Sequence, residues 1–345
     1  MSNIFKFLTN SVIIYKIKNM NMKNKTIKIV VIGGGTGVFN TLMSLKNYPI
    51  DLTAIVSIAD DGGSSGVLRE EFGILPPGDI RRALVALTPE SGKILTDLFN
   101  YRFENGSGLR GHSFGNLFIT ALTNITKNFN KAVDEAGKIL NIKGRVVPIS
   151  LSQCRLIAKL RSGVFIFGET NIDIPKNKEK NVLIEKIFLD NKVEANPEAI
   201  KEIKNADYII IGPGDLYTSI IPNFLISGIK ETIRNSKAKK IFVCNIVTKF
   251  SETNNFKAID FLKTLEKYIC KNCFDYIILN DYKKIPKRLK CIYSRERKQL
   301  VKFKKNDFKK YRKLNIIIKD LASKHTLLRH DNKRLGETLW DIINQ

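Results

Sequence analysis

The sequence predicts an α/β protein whose core is a doubly wound, mostly parallel sheet of the Rossmann-like kind. Short apolar, β-branched runs alternate along the chain with segments of helical pattern. Several of these runs end directly in glycine-rich loops, as buried parallel strands do in βαβ units. The composition fits a folded globular chain, with 43% hydrophobic and 26% charged residues in a total of 345.

The first βαβ unit is the clearest part of the pattern. A strand is predicted over 26–32, a helix over 38–45 and a second strand over 52–58. The run Gly33–Gly37 joins the first strand to the helix. Later segments predict helices over 80–87, 93–99, 116–125, 131–140 and 197–204, and strands over 146–150, 207–211, 241–245 and 276–279.

Two parts of the chain depart from this alternation. Apolar segments around 164–167 and 182–189 predict further strands, which we assign to an inserted, antiparallel α+β segment. Residues 1–25 are treated as an N-terminal extension, arising from a misassigned start or from disorder, because Met20 and Met22 lie just before the first strand. The α/β domain is then 26–345.

The net charge admits three classes of partner: nucleic acid, an anionic membrane and a small phosphorylated ligand. It is 58 − 33 = +25, and residues 283–313 alone carry 15 basic and two acidic residues, or +13. Lys outnumbers Arg by 43 to 15, and no zinc finger, RNA-recognition signature or basic zipper is present. We therefore expect no nucleic-acid partner and interpret 283–313 as solvated surface, with a polyanion or membrane contact as the alternative.

The cysteines and the apolar runs indicate the compartment. Five scattered Cys, an odd number, favour reduced thiols in the cytoplasm, and the lone pair Cys270 and Cys273 lacks the further ligands of a zinc site. No run approaches the 18 apolar residues of a membrane span, and the N-terminus lacks a signal-peptide cleavage site. We expect a cytoplasmic protein without a transmembrane segment.

The loop Gly33–Gly37 is the first candidate ligand site. Glycines let the backbone approach a phosphate closely, and the helix that follows supplies amide groups and a positive dipole. The loop is not a dinucleotide fingerprint, since the third glycine position falls on Val38, and no Gly-Lys-Ser/Thr follows to make a Walker A loop. We predict phosphate or nucleotide binding; a tight turn without a ligand is the alternative.

The second candidate is the acidic loop 59–66, which follows the second predicted strand. Asp60 and Asp61 could bind a sugar hydroxyl or a Mg²⁺ ion, while Gly62 and Gly63 expose backbone amides. The alternative is a solvated Gly/Ser loop. Further along the chain, Asp79 has two interpretations of equal weight, a helix cap and a ligand contact.

Two polar clusters complete the candidate site. His112 lies with Ser113 and Asn116 in a glycine-rich turn at a predicted helix start, which favours a ligand role over a structural one. The run Gly212–Ser219 follows a buried strand and forms a second phosphate-cradle candidate, and Asn245 follows the next strand.

These motifs together resemble the gluconeogenesis factor family of bacteria, which is similar to phospholactate transferase. The resemblance covers about residues 26–345 and rests on long motifs in the same order. They are Gly33–Gly37, Ala59–Gly66, Gly73–Arg81, Gly111–Asn116, Gly212–Ser219 and Leu328–Asp331.

The resemblance implies a cytoplasmic factor that binds a UDP-sugar, chiefly UDP-N-acetylglucosamine, and that acts in cell shape and cell-wall homeostasis during gluconeogenic growth. It implies no required cofactor, and Arg329 would add charge near the diphosphate. The predicted ligand-binding residues are Gly33, Gly34, Gly35, Thr36, Gly37, Asp60, Asp61, Gly62, Gly63, Asp79, His112, Ser113, Asn116, Gly212, Gly214, Asp215, Tyr217, Thr218, Asn245 and Arg329.

Three functional hypotheses remain open from the sequence. The first is the UDP-sugar-binding regulator, for which a homodimer and a partner protein of cell-wall synthesis are expected. The second is an enzyme of the phospholactate transferase type, acting on a nucleoside-diphospho substrate, in which Asp60 and Asp61 would hold Mg²⁺ as the catalytic carboxylates. The third is nucleic-acid binding through 283–313.

Overall fold

The fold is described from a computed structural model of the chain. It covers residues 26–175, 183–250, 252–295, 297–323 and 329–345. The predicted extension 1–25 lies outside these residues, as does the first residue of the segment predicted over 182–189.

A seven-stranded sheet forms the centre of the molecule, and every neighbouring pair in it is parallel. Its order is β10-β9-β8-β7-β1-β2-β3. The strands are β1 (Ile27–Gly33), β2 (Ile50–Val56), β3 (Arg145–Pro148), β7 (Tyr208–Ile211), β8 (Lys239–Val243), β9 (Tyr276–Asn280) and β10 (Asn315–Lys319), with β4 to β6 in the insertion. The predicted doubly wound α/β class is confirmed.

Helices cover the sheet and connect its strands. They are α1 (Gly35–Leu45), α2 (Gly63–Phe72), α3 (Gly78–Leu87), α4 (Lys93–Asn100), α5 (Phe114–Thr126), α6 (Phe129–Ile139), α7 (Glu169–Asp173), α8 (Pro197–Asn205), α9 (Ile229–Asn235), α10 (Ala258–Tyr268), α11 (Lys287–Arg295) and α12 (Asn332–Ile343). Among the helices of the described ranges, none has both the length and the apolar composition needed to cross a membrane.

The insertion is a small antiparallel sheet with one short helix, as the sequence predicted. Its strands are β4 (Leu156–Leu160), β5 (Phe165–Phe167) and β6 (Ile184–Leu189), in the order β5-β4-β6. Helix α7 follows β5. The insertion lies in the chain between β3 and β7, the two strands that lead away from and back to the centre of the main sheet.

The strand order places a ligand crevice beside β1. The chain runs from β1 through β2 to β3 on one side and returns to β7 on the other side of β1. At the place where the strand order reverses, the loops after the two neighbouring strands lead in opposite directions. Ligands bind in the crevice between these loops. Val31, Ile32, Ile210 and Ile211 are fully buried in the two central strands, so this part of the sheet is a rigid base for the loops.

One predicted loop is partly helical. The sequence predicts a ligand-binding loop over 59–66, but α2 begins at Gly63. The helix ends at Gly73, whose left-handed conformation at φ 64° stops it. The acidic loop is therefore shortened to the residues before Gly63.

Candidate functional site

The main candidate site is a cavity of about 630 Å³ at the carboxyl ends of β1, β2, β7 and β8. The loops that follow these four strands form its walls, and α7 of the insertion closes one side. Polar and charged residues dominate the lining. The structure brings together twelve of the predicted ligand residues here: Gly35, Thr36, Gly37, Asp60, Gly62, Gly63, Asp79, Gly214, Asp215, Thr218, Asn245 and Arg329.

The two glycine-rich loops meet at the bottom of the cavity. A Cβ on Gly37 would lie 2.0 Å from the carbonyl oxygen of Pro213, so only glycine permits this approach. Asn245 locks the second loop, since its side-chain amide donates to the Gly214 carbonyl at 2.8 Å and its oxygen accepts the Gly214 amide at 3.4 Å. The result is one continuous backbone cradle of the kind that binds phosphate groups.

The first turn of α1 points into this cradle. The helix begins at Gly35, and its N-cap residue Gly34 has no side chain with which to cap the turn. Backbone amides at a helix N-terminus together with the helix dipole attract an anion. Thr36 lines the cavity from the same turn, so it can add a hydroxyl to those amides.

Carboxyl groups crowd the opposite wall. Burial, followed by the charge of Asp60, raises the pKa of Asp79 to about 6, while Arg82 opposes the shift and the Gly35 amide donates to the carboxylate. Burial and the charges of Asp60, Asp61 and Asp79 raise the pKa of Glu169 to about 8. The sequence left helix capping open for Asp79; the N-cap of α3 is Pro77, and Asp79 lies in the first turn, 3.2 Å from Arg82.

Asp61 holds the insertion against the main domain. Its two oxygens accept the Glu169 amide at 3.0 Å and the Thr170 amide and hydroxyl at 2.8 Å each. Asp61 thereby caps the N-terminus of α7 from a distant loop. Asp60 makes a local bond, accepting the Gly62 amide at 3.0 Å, and it is the one of the two aspartates that lines the cavity.

A lysine sits inside a second acidic cluster. In the described part of the chain, one group of acidic residues has the spacing of metal ligands: Asp173, Asp215 and Glu252. The Lys249 ammonium contacts Asp173, lies 2.6 Å from Asp215 and lies 3.5 Å from Glu252. Because this ammonium already pairs with all three carboxylates and offsets part of their charge, the donor set does not call for a metal ion there.

Glu252 supports the second glycine-rich loop from below. Its side chain is 0% exposed. It accepts the Tyr217 amide at 2.9 Å and the Thr218 hydroxyl at 2.8 Å. Burial, followed by the charge of Glu252, raises the pKa of Asp215 in the same loop to about 7, and Lys298 opposes the shift. Tyr217 itself points away from the main site and lines a separate cavity.

The predicted ligand residues around His112 lie behind the cavity wall. The Nδ1 atom of His112 lies 3.0 Å from the Ser64 hydroxyl oxygen, and the Asn116 side-chain amide donates to that oxygen at 3.1 Å. Arg81 donates to the Asn116 oxygen at 3.0 Å, and Ser113 is the N-cap of α5. These buried side chains fix the start of α2 and do not line the cavity. Gly33, Gly34 and Gly212 also lie behind it and shape the turns.

Comparison with known proteins places the chain in a family. A family model described as 2-phospho-L-lactate transferase CofD matches residues 29–322. The gluconeogenesis factor of Bacillus subtilis is 40% identical over 322 residues, which are 92% of this chain and 98% of that protein. A putative gluconeogenesis factor of Nostoc is 50% identical over 261 residues, 75% of this chain and 56% of that longer protein. The chain belongs to the gluconeogenesis factor family.

A solved structure shares the family's fold. The crystal structure of a Bacillus halodurans protein, placed in the upf0052 family, superposes with a TM-score of 0.85 at 36% identity, covering 93% of this chain and 99% of that one. The whole described architecture, with its insertion, is therefore that of a known family member.

Several cavity residues of this gluconeogenesis factor family member were not predicted from its sequence. Many of them lie outside the predicted motifs, in α7, at the end of the loop after β8 and in the segment after α11. The charged ones are Arg82, Glu169, Asp173, Lys249 and Lys298. Arg82 carried a signal, since it lies in the Asp79 motif; the others are brought in by tertiary packing alone.

Proposed function

We propose that the chain binds a UDP-sugar, UDP-N-acetylglucosamine, in the main cavity. The observation that carries the proposal is the convergence of both glycine-rich loops on the first turn of α1, with Thr36 and Thr218 in the lining. Backbone amides and hydroxyls in this arrangement suit a diphosphate. The cavity volume of about 630 Å³ falls in the range of small-molecule sites.

The side chains around the cradle match the remaining parts of such a ligand. Arg82, Lys298 and Arg329 line the cavity and offset diphosphate charge. Asp60 offers a carboxylate to ribose or sugar hydroxyls, as acidic residues do at this place in doubly wound sheets. The site thus combines anion-binding groups at its base with hydroxyl acceptors on its wall.

The biological role that follows is regulatory. The relatives named gluconeogenesis factor, together with the resemblance of the motifs, support a cytoplasmic factor that senses a UDP-sugar and maintains cell shape and the cell wall during gluconeogenic growth. A homodimer and a protein partner in cell-wall synthesis belong to this proposal.

Isothermal titration calorimetry with UDP-N-acetylglucosamine tests the proposal. Arg329→Gln should weaken binding by about tenfold, because a charge-assisted contact contributes on the order of 1.4 kcal/mol. Lys333→Gln removes a nearby exposed cation outside the cavity and should leave affinity unchanged. Failure of every UDP-sugar to bind the unmodified protein would reject the proposal.

A second candidate is transfer chemistry on a nucleoside-diphospho substrate. The family description names a transferase, and burial together with the charge of Asp60 raises the pKa values of Asp79 and Glu169, as in a site suited to a cation. Bound Mg²⁺ would neutralise charge on the transferring phosphoryl group. Asp60 is the sequence-predicted ligand that fits this role, because the oxygens of Asp61 are bonded to α7.

The two candidates are separated by an activity assay. Turnover of a nucleoside-diphospho substrate with Mg²⁺ should fall at least a hundredfold in Asp60→Asn and persist in Glu185→Gln, an exposed control. Binding of UDP-N-acetylglucosamine without turnover would favour the regulatory function. Turnover that survives Asp60→Asn would exclude that carboxylate as the metal ligand.

A further inference from the structure

Helix α11 and the short turn before it carry a cluster of exposed cations. We define the basic surface as Lys283, Lys284, Lys287, Arg288, Lys290 and Arg295, all of them exposed. No Asp or Glu occurs between residues 282 and 295, so the sequence contains no acid within the segment. Six cations on one short turn and helix attract an anionic surface.

The apolar face of α11 is already used by the fold. Leu289 and Tyr293, together with Ile285 before the helix, pack against Ile246 and Ala322. Ile285, Leu289 and Tyr293 therefore point inward, while the six cations of the basic surface are exposed. A partner on this side would meet charge and not an exposed apolar stripe.

This packing places α11 beside a wall of the main cavity. Ile246, on which α11 packs, lines that cavity, as does Lys298 just after the helix. The segment after α11 is bonded to the cavity loop, since the Thr248 amide donates to the Gln299 carbonyl at 2.7 Å and the Val301 amide to the Ile246 carbonyl at 3.0 Å. The helix and the cavity wall are one packed unit.

We propose that the basic surface docks on an anionic lipid membrane and so holds the adjoining cavity close to the lipid headgroups. The residue types favour lipid over nucleic acid. Lys outnumbers Arg by 11 to 4 in 283–313, and a lysine ammonium is a point charge without the fork that reads bases. The nearby aromatic rings are committed to the fold: Tyr293 is buried and Tyr282 packs on Phe303 at 5.4 Å. Stacking on bases would need such rings exposed.

The test is co-sedimentation of the full chain with vesicles of phosphatidylglycerol and phosphatidylcholine, compared with vesicles of phosphatidylcholine alone. The unmodified protein should sediment with the anionic vesicles only, and binding should fall as KCl rises. In the test variant K287Q, R288Q, K290Q and R295Q are combined. Each cation near an anionic surface contributes a factor of about five to partitioning, so the variant should partition at least about a hundredfold less.

The matched control neutralises four cations at the opposite edge of the main sheet. Lys131 and Lys138 on α6 and Lys201 and Lys204 on α8 are exposed, and both helices pack near the edge strand β3. K131Q, K138Q, K201Q and K204Q combined lower the net charge by the same amount, and this variant should sediment like the unmodified protein. Melting temperatures check that both variants are folded.

Three outcomes would overturn the proposal. The first is absence of sedimentation of the unmodified protein with anionic vesicles. The second is equal sedimentation of the two variants, which would place any membrane contact elsewhere, including residues 1–25. The third is tighter binding to polyuridylate than to the vesicles at the same salt concentration, which would identify nucleic acid as the partner. None of these measurements uses a UDP-sugar, so they stand apart from the proposed function.

Discussion

Gly37 carries the closest backbone approach in the candidate site. A Cβ there would meet the Pro213 carbonyl oxygen at 2.0 Å, a contact that neither backbone can relieve without moving a loop. Gly37→Ala should therefore lower the free energy of unfolding by about 3 kcal/mol or more and abolish UDP-sugar binding. Urea unfolding and calorimetry measure the two effects. Gly108→Ala is the control, since a Cβ there meets nothing within 4 Å; equal behaviour of the two variants would contradict the described loop contact.

Lys249 is the cation at the centre of the second acidic cluster. Lys249→Met leaves three carboxylates without their cation, one of them on the fully buried Glu252. We expect a loss of about 2 kcal/mol at pH 8. Adding Glu252→Gln should recover part of it, because the remaining charge is then smaller. Lys230→Met removes an exposed pair with Glu231 at 3.6 Å and should change stability by less than about 0.5 kcal/mol. A similar effect of Lys249→Met and Lys230→Met in urea unfolding would refute the neutralising role.

The residues that sequence reasoning found share one property. Gly35, Asp60 and Thr218 lie in motifs directly after apolar strands, where the order of residue types alone marks the carboxyl end of a sheet. Lys249 and Glu169 carry no such mark. Their position depends on how the insertion and the loop after β8 pack on the sheet, and that packing is set by contacts between residues far apart in the chain.

At the scale of elements, the N-terminus of α7 is joined to the main domain through the Asp61 carboxylate. Asp61→Asn replaces one of the two acceptor oxygens with an NH₂ group. That group is a donor, and it would face the donating backbone amides of α7. We expect a local loss of about 2 kcal/mol, and hence amide hydrogen exchange about 30-fold faster in α7 and in β5 than in the unmodified protein. Exchange in β8 should not change. Asp60→Asn is the neighbouring control, and faster exchange in β8 as well would indicate general destabilisation.

The predicted elements agree with the structure where burial is complete. The strands β1, β2 and β7 are mostly apolar, and their last four or five residues are buried because helices cover both faces, so their pattern is clear. Helix α2 was missed because it opens with glycines and serines, which are typical of loops and enter a helix here only under tertiary packing. The edge strand β10 was missed because its residues are half-buried or exposed and it follows the lysine-rich stretch.

At the scale of the whole molecule, the charge is divided between two regions. The candidate cavity holds acids and cations together, while the basic surface of α11 holds cations alone. The net charge of +25 therefore describes the surface more than the site. The composition predicts the excess of positive charge. Only the packing of α11 shows that part of this charge borders the cavity.

The carboxyls around the cavity make stability depend on pH with a definite sign. Glu169 has its pKa raised from an ordinary 4.5 to about 8, so the folded state binds its proton more tightly than the unfolded state does. The stabilising effect of that proton is fully present below the ordinary pKa and is lost as pH rises toward 8.

Glu169→Gln keeps the neutral form at every pH. Its melting temperature should match that of the unmodified protein near pH 4.5 and exceed it increasingly up to about pH 8. Glu185→Gln, on the exposed face of β6, should show no such trend. A Glu169→Gln difference that shrinks with rising pH would mean that this carboxyl is stabilised in its charged form, and the crowding of acids around the cavity would then not describe the folded protein.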